Sequence, residues 1–242
     1  MKLAIGLLLG NGFPVPVPFF LSYLSLFQRL QGGLDNGSLP DHLQVHSATL
    51  IHCQDFPVDA ARNEIIRRFL ETDAGYLLFL DADMTFPVDL PARLLRHDTA
   101  VVSGRYHMRR APYHAVAMRH SGPEMFDCTA IVDGHGLMPI DFGGAGALLV
   151  RRDVFEAIRD RETFQGERVG ENWFRYSRQT RPPFEFKISE DMHFYRQCRL
   201  AHFQPYVDWD AECGHVSQIL VDGGWHRAYA DEIKARQAQV QA

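Results

Sequence analysis

Apolar and polar positions change in regular blocks along the first 105 residues, and the blocks predict strands and helices in turn. Continuous apolar runs indicate buried strands, alternation indicates a half-buried strand, and apolar residues at helical spacing indicate helices. The predicted strands are residues 3–9, 43–51, 76–80 and 99–103, and the predicted helices are residues 19–30, 58–71 and 90–96. This order predicts a mainly parallel sheet covered by helices on both faces.

The second half of the chain has a different pattern. Two short alternating segments predict antiparallel strands, and a glycine turn precedes another strand and helix. The predicted elements are strands at 114–118, 128–132 and 147–150, a helix from Asp153, a long loop at 160–187, a helix capped by Ser189, a strand and loop at 206–216, and a polar helix over the last dozen residues. A smaller antiparallel region beside the main sheet is therefore expected.

Composition narrows the class of protein. Hydrophobic residues make up 46% of the 242 residues and charged residues 23%, which is typical of a globular domain. The formal net charge of −5 argues against a broad nucleic-acid-binding surface. Four widely spaced cysteines without a CxxC motif favour a reduced, cytoplasmic protein. The apolar N-terminus is interrupted at Asn11-Gly12, and no later run approaches the roughly 20 apolar residues of a membrane span.

Residues 76–87, YLLFLDADMTFP, place two carboxylates directly after a buried run. Asp81 and Asp83 would stand at the carboxyl end of a strand, where open α/β sheets bind ligands. Neighbouring carboxylates repel one another unless a cation or a proton separates them. Mn²⁺ or Mg²⁺, completed by phosphate oxygens of a ligand, would do so. The alternative is structural: one aspartate caps the next helix and the other is solvated.

A phosphatase is a second interpretation of the same stretch. In DADMT, Asp81 stands where haloacid-dehalogenase-type phosphatases present their nucleophile, and VVS at 101–103 resembles their second motif. Some 75 residues precede the motif here, whereas that family places it on the first strand. Glu190-Asp191 is also predicted to open a helix, three residues after Lys187, whereas that family's acidic motif follows a strand.

Five motifs in a fixed order suggest another family. ARN, LDADM, GGAGALLVRR, SED and CGH, spread over residues 3–220, resemble the nucleotide-sugar glycosyltransferases of the GT-A fold. The resemblance implies a Rossmann-like, mostly parallel sheet flanked by helices, with a smaller antiparallel acceptor-side region. It implies one domain over 1–242, with a donor half (about 1–105), an acceptor and catalytic half (about 106–220) and a C-terminal tail (221–242).

The resemblance also implies a set of site residues. Asp81, Asp83 and His215 would bind Mn²⁺ (or Mg²⁺) on the donor diphosphate. The remaining residues implied to contact the donor are Arg62, Asn63, Ala82, Gly143 and Gly144. Structural alternatives exist for three of these predictions: a core or turn histidine for His215, a helix-surface salt bridge for Arg62, and a tight turn for the glycines.

Glu190 and Asp191 match the acidic pair that supplies the base in inverting members of the family. Asp191 is the expected base, and the alternative is that both acids merely favour a helix N-terminus. The expected reaction moves a sugar from a UDP- or GDP-sugar to a hydroxyl of an unidentified acceptor. A phosphatase and a non-catalytic nucleotide-sugar-binding module remain as alternatives.

Overall fold

The structure of the chain is a computed structural model. It describes residues 1–10, 15–32, 39–54, 56–122, 128–161, 169–181, 184–217 and 220–240.

A seven-stranded sheet forms the centre of the molecule. Its strands, in chain order, are β1 (Lys2–Leu8), β2 (Ser47–Cys53), β3 (Tyr76–Asp81), β5 (Val101–Arg105), β8 (Leu137–Pro139), β10 (Ala147–Arg151) and β13 (Tyr206–Glu212). Across the sheet the order is β2-β1-β3-β10-β5-β13-β8. Five strands run in one direction, because only β10 and β8 pair antiparallel with their neighbours. The predicted mainly parallel sheet is confirmed.

Helices cover both faces of this sheet, as the block pattern predicts. They are α1 (Val17–Gln31), α2 (Val58–Leu70), α3 (Leu90–Arg96), α4 (Arg152–Asp160) and α5 (Glu190–Leu200). A sixth helix, α6 (Gly223–Val240), follows the last strand. One apolar core holds side chains of α2, α4 and α5, and a second holds side chains of α1 and α3. Strand β3 supplies both cores, with Leu77 and Phe79 in the first and Leu78 and Leu80 in the second.

Three small antiparallel sheets lie beside the main one. The first joins β15 (Leu220–Val221), β14 (Gly214–Val216) and β4 (Met84–Thr85); the second joins β7 (Cys128–Ala130), β6 (Ala117–His120) and β9 (Phe142–Gly143); the third is a hairpin of β11 (Ser177–Arg181) and β12 (Phe184–Ile188). The antiparallel region is thus confirmed. The first small sheet links the residues after β3 to those after β13.

Three sequence-based predictions need correction. The predicted loop at 160–187 contains the β11–β12 hairpin; residues 162–168 of that loop are outside the described ranges. The predicted strand at 43–51 begins only at Ser47, because residues Asp41–Leu43 form a 3-10 turn. The C-terminal helix begins at Gly223, well before the last dozen residues.

The sheet order fixes where a ligand can bind. The chain runs from β1 to β2 on one side and then to β3 on the other side of β1. Open α/β sheets bind ligands at such a reversal, outside the carboxyl ends of the strands. The Asp81–Asp83 motif lies at this edge. None of the helices in the described ranges is long and apolar enough to cross a bilayer.

Gly6, in the middle of β1, provides a test of the packing between the sheet and α2. A Cβ at this position would lie 2.7 Å from Cγ2 of Ile65 and 3.3 Å from Leu77. We therefore expect Gly6→Ala to lower the free energy of unfolding by about 1–3 kcal/mol, measured by urea denaturation. Gly75→Ala is the matched control, because no atom lies within 4 Å of its added Cβ. Equal stability of the two variants would contradict this account of the core.

Candidate functional site

A cleft of about 730 Å³ opens at the carboxyl ends of β1, β2 and β3. Its lining is mostly apolar, with charged side chains from Asp81, Asp83 and Arg109. The lining residues are Leu8, Leu9, Gly10, Val15, Pro16, Phe56, Pro57, Val58, Ala61, Asp81, Ala82, Asp83, Arg109, Val216 and Ser217. The DxD motif therefore lies in the cleft, and the backbone N–H of Ala82 anchors it to the Leu8 carbonyl at 3.3 Å.

A buried arginine joins the DxD motif to the acidic pair of α5. Nη1 of Arg62 donates to Glu190 Oε1 at 2.8 Å and to Asp191 Oδ1 at 2.5 Å. Its Nη2 donates to Asp81 at 3.0 and 3.3 Å. Arg62 is 2% exposed and does not line the cleft. The predicted donor contact of Arg62 is thus replaced by a buried ion-pair cluster, because three carboxylates already take its hydrogen bonds.

Phe174 and Asn63 hold Arg62 in place. The guanidinium carbon lies 5.2 Å from the centre of the Phe174 ring, which stacks on Phe194 of α5 at 4.5 Å. The Asn63 amide binds both polar groups of the Phe174 backbone, donating to its carbonyl and accepting from its N–H, each at 2.9 Å. Asn63 was predicted to face the donor. Its hydrogen-bonding groups are instead used to position Phe174.

The cluster carries more negative than positive charge. Burial opposes the charge of Arg62, yet Asp191, Asp81 and Glu190 outweigh it and raise the pKa of the guanidinium. Burial raises the pKa of Asp81 despite Arg62. Burial, together with Glu190 and Asp81, likewise raises the pKa of Asp191 to about 7 in spite of Arg62. Asp191 can therefore exchange a proton near neutral pH.

The acidic pair begins α5, as expected. Ser189 accepts a hydrogen bond from the Met192 N–H at 3.2 Å, which caps the helix and starts it at Glu190. Helix N-terminal placement favours both acids. It does not explain why both also contact Arg62, so the pair belongs to the cluster as well as to the helix start.

His215 and Asp83 form the second part of the site. The small sheet of β4 and β14 pairs His215 with Met84, and the Val216 N–H donates to the Asp83 carbonyl at 2.7 Å. His215 Nδ1 lies 2.8 Å from the carbonyl oxygen of His107, which can only accept. Nδ1 therefore carries a proton whether the ring is neutral or charged. Nε2 lies 3.6 Å from Asp83 Oδ2, where it presents an N–H in the imidazolium and a lone pair, open to a cation, in the neutral ring.

The electrostatics of Asp83 differ from those of Asp81. Burial opposes its ionisation, but the hydrogen bond and charge of the His215 imidazolium, with the charge of Arg109, outweigh burial and lower the pKa of Asp83. Arg109 Nη1 lies 2.9 Å from Asp83 Oδ2. Asp83 is therefore an anion at neutral pH.

The donor atoms suit a divalent cation that is completed by phosphate. Asp83 offers a carboxylate, and His215 offers an imidazole nitrogen whose other nitrogen is oriented by a carbonyl, as in metal-binding histidines. Mg²⁺-type sites use one or two carboxylates plus substrate phosphates. The predicted three-ligand set is not assembled, because Asp81 turns to Arg62; no group of three ligating side chains occurs within the described ranges.

The glycine motif makes room for two tyrosines of the protein itself. A Cβ on Gly144 would overlap the Tyr106 hydroxyl, and one on Gly143 would lie 2.7 Å from the Tyr195 hydroxyl. Tyr195 donates to the Gly144 carbonyl at 3.1 Å, and the Gly146 carbonyl accepts from the Asp81 N–H at 3.0 Å. Contact of Gly143 and Gly144 with a sugar stays a prediction. What the motif does in the structure is to hold β9 and β10 against the cluster.

Sequence reasoning missed Phe174 and Arg109. Phe174 lies in the stretch that was interpreted as a loop. A phenylalanine that packs against an arginine has no recognisable sequence motif. Arg109 is one of two consecutive arginines after β5. Their position after a central strand is the one signal that could have drawn attention to them.

Comparison with known proteins is informative about the fold. The chain matches no protein-family model and no curated protein. It is similar to a solved structure described as "Crystal Structure of A197 from STIV", with a TM-score of 0.51 and 15% identity, over 92% of this chain and 94% of that one. The class that sheet and site define is a mixed α/β protein with a mostly parallel, Rossmann-like sheet flanked by helices.

The raised pKa of Asp191 predicts a pH dependence of folding. Its pKa of about 7, against 3.8 for an ordinary aspartate, means that the folded state keeps a proton that the unfolded chain has lost. This group's contribution to stability should fall as the pH rises from 4 to 7, by at most about 1.4 kcal/mol per pH unit. Asp191→Asn should remove that decline.

Denaturant unfolding of wild type and Asp191→Asn across this pH range measures the effect. The variant should gain stability relative to wild type as the pH rises. Parallel profiles would show that Asp191 does not hold a proton in the folded state.

Proposed function

We propose that the protein is a metal-dependent glycosyltransferase of the GT-A type, which transfers a sugar from a nucleoside-diphosphate sugar to an acceptor hydroxyl. The observation that carries the proposal is the meeting, at one sheet edge, of the DxD motif, an oriented histidine and a carboxylate with a pKa near neutrality. This combination fits a donor diphosphate on one side and an acceptor hydroxyl on the other.

The cleft supports a donor of this kind. Phe56, Val58 and Val15 give an apolar wall suited to a base and ribose, while Asp83 and Arg109 give the charged end. Asp83 and His215 would hold Mn²⁺ or Mg²⁺ there, and the cation would offset the charge that develops on the leaving diphosphate. Asp81 would add negative charge beside it.

Asp191 is the proposed base. Asp191 does not itself line the cleft, but its side chain is 22% exposed and therefore open to a hydroxyl, and its pKa of about 7 suits proton acceptance at neutral pH. In the proposed step the acceptor oxygen bonds to the anomeric carbon and gives its proton to Asp191, while the bond from that carbon to the diphosphate oxygen breaks. Arg62 would keep the carboxylate in position throughout. Attack from the face opposite the leaving group inverts the anomeric carbon.

The phosphatase alternative has weaker support. A nucleophilic Asp81 needs an oxygen directed at the substrate, whereas both its oxygens accept hydrogen bonds from Arg62. Lys187, the lysine nearest the acidic pair in sequence, lies exposed on β12, and Glu190 opens a helix. A binding module without turnover would use the same cleft, and the transfer experiment below separates it from an enzyme.

The first prediction from this proposal concerns metal. We expect UDP or GDP to bind at least about tenfold more tightly with Mn²⁺ than with a chelator, because a cation held by Asp83 and His215 would attract the diphosphate. Asp83→Asn and His215→Gln should each remove most of that difference, measured by isothermal titration calorimetry.

Asp73→Asn is the matched control. Asp73 is an exposed aspartate just before β3, at the opposite end of the strand from the motif, where it pairs with Lys2. Nucleotide affinity that does not change with metal would refute the assignment of Asp83 and His215. A phosphorylated Asp81 after incubation with a phosphate ester would favour the phosphatase.

The second prediction concerns the base. Asp191→Asn keeps the shape of the side chain but removes proton acceptance, so transfer to an acceptor should fall by about 10²-fold or more. Binding of Mn²⁺ and nucleotide should persist, because Asp83 and His215 are unchanged. A labelled donor screened against acceptor hydroxyls provides the assay. Near-normal transfer by the variant would exclude Asp191 as base, and tight donor binding without transfer by wild type would favour a binding module.

A further inference from the structure

Arg109 lies just before a tight turn of residues 110–113, and its side chain lines the cleft. An isolated bridge joins His107 to Ala115, and the N–H of Met108 donates to the His114 carbonyl at 3.0 Å. The N–H of Tyr113 closes the turn on the Arg110 carbonyl at 2.9 Å. Arg109 thus projects from a fixed backbone, and its side chain is 49% exposed.

The guanidinium of Arg109 shares one oxygen with the candidate metal-binding histidine. Asp83 Oδ2 lies 2.9 Å from Arg109 Nη1 and 3.6 Å from His215 Nε2. The backbone of Asp83 is held by Val216, and His215 is held by the His107 carbonyl. Of the groups around this oxygen, the half-exposed arginine side chain is therefore the one able to move away.

We propose that Arg109 is an exchangeable counter-ion: it pairs with Asp83 when no metal is bound, and it binds the donor diphosphate when metal takes its place. The inference rests on the proposed function. A guanidinium and a divalent cation cannot both occupy the same side of one carboxylate oxygen, so metal binding displaces the guanidinium. Arg109 also lines the cleft, where phosphate oxygens are its best new partners, because guanidinium binds phosphate in a bidentate manner.

This exchange has a thermodynamic consequence. Metal that binds alone must break the Arg109–Asp83 ion pair without a replacement for the guanidinium. Metal that binds with a nucleoside diphosphate gives Arg109 a new anion. Arg109 therefore couples the two ligands, and by linkage each raises the affinity of the other.

The test compares Arg109→Gln with Arg110→Gln, its exposed neighbour at the start of that turn, which does not line the cleft. Mn²⁺ binding without nucleotide is followed by electron paramagnetic resonance, and UDP and GDP binding at saturating Mn²⁺ by calorimetry. Arg109→Gln should bind Mn²⁺ alone about two- to fivefold more tightly, the scale of an exposed ion pair, and the nucleoside diphosphate about tenfold more weakly. Arg110→Gln should match wild type in both.

The outcomes separate this inference from the proposed function. Unchanged Mn²⁺ affinity in Arg109→Gln, or unchanged nucleotide affinity, overturns the exchange, while nucleotide binding that still needs metal and Asp83 retains the proposed function. If neither wild type nor Arg109→Gln binds Mn²⁺ through Asp83, the proposed function and the exchange both fail. A melting temperature equal to that of wild type shows that the exposed substitution leaves the fold intact.

Discussion

The buried guanidinium of Arg62 is the interaction on which the site depends. It lies on α2, and its carboxylate partners come from the end of β3 and the first turn of α5, the latter more than 100 residues away in sequence. Removing a charge from water costs free energy unless a partner of opposite charge compensates. Here the arginine compensates the carboxylates, and the carboxylates compensate the arginine. A lysine could not replace Arg62. The planar guanidinium donates from two separate nitrogens to carboxylates on two sides, whereas an ammonium group has a single nitrogen.

Much of the fold could be predicted because its strands carry unusually clear patterns. The strand Tyr76–Leu80 is buried on both faces, so its sequence is continuously apolar. The helices bury apolar residues at helical spacing, which makes them recognisable as well. The insertion of β10 between β3 and β5 could not be predicted, since strand pairing depends on residues distant in sequence. The hairpin at 177–188 was missed because its arginine-rich, polar sequence resembles a loop.

The sequence predicted which residues form the candidate site better than it predicted which way their side chains point. Asp81, Asp83, His215 and Asp191 come together at one sheet edge, as motif order suggests. The sequence does not tell which way a side chain turns, so Asn63 was expected at the donor although its amide holds Phe174. The same limit applies to the glycines, which fit against tyrosines located elsewhere in the chain. Local sequence shows which functional groups are present, and tertiary packing determines which partners those groups contact.

The two aspartates of the DxD motif have different environments although one residue separates them. Asp81 ends β3 and turns to the inaccessible Arg62, whereas Asp83 precedes β4 and turns to the exposed Arg109 and to His215. A buried ion pair with several hydrogen bonds is hard to open, while an exposed pair is worth little and exchanges easily. One carboxylate is thus committed to the framework that holds Asp191, and the other is available to an incoming cation. This division explains how a rigid cluster and a responsive binding site can share three consecutive residues.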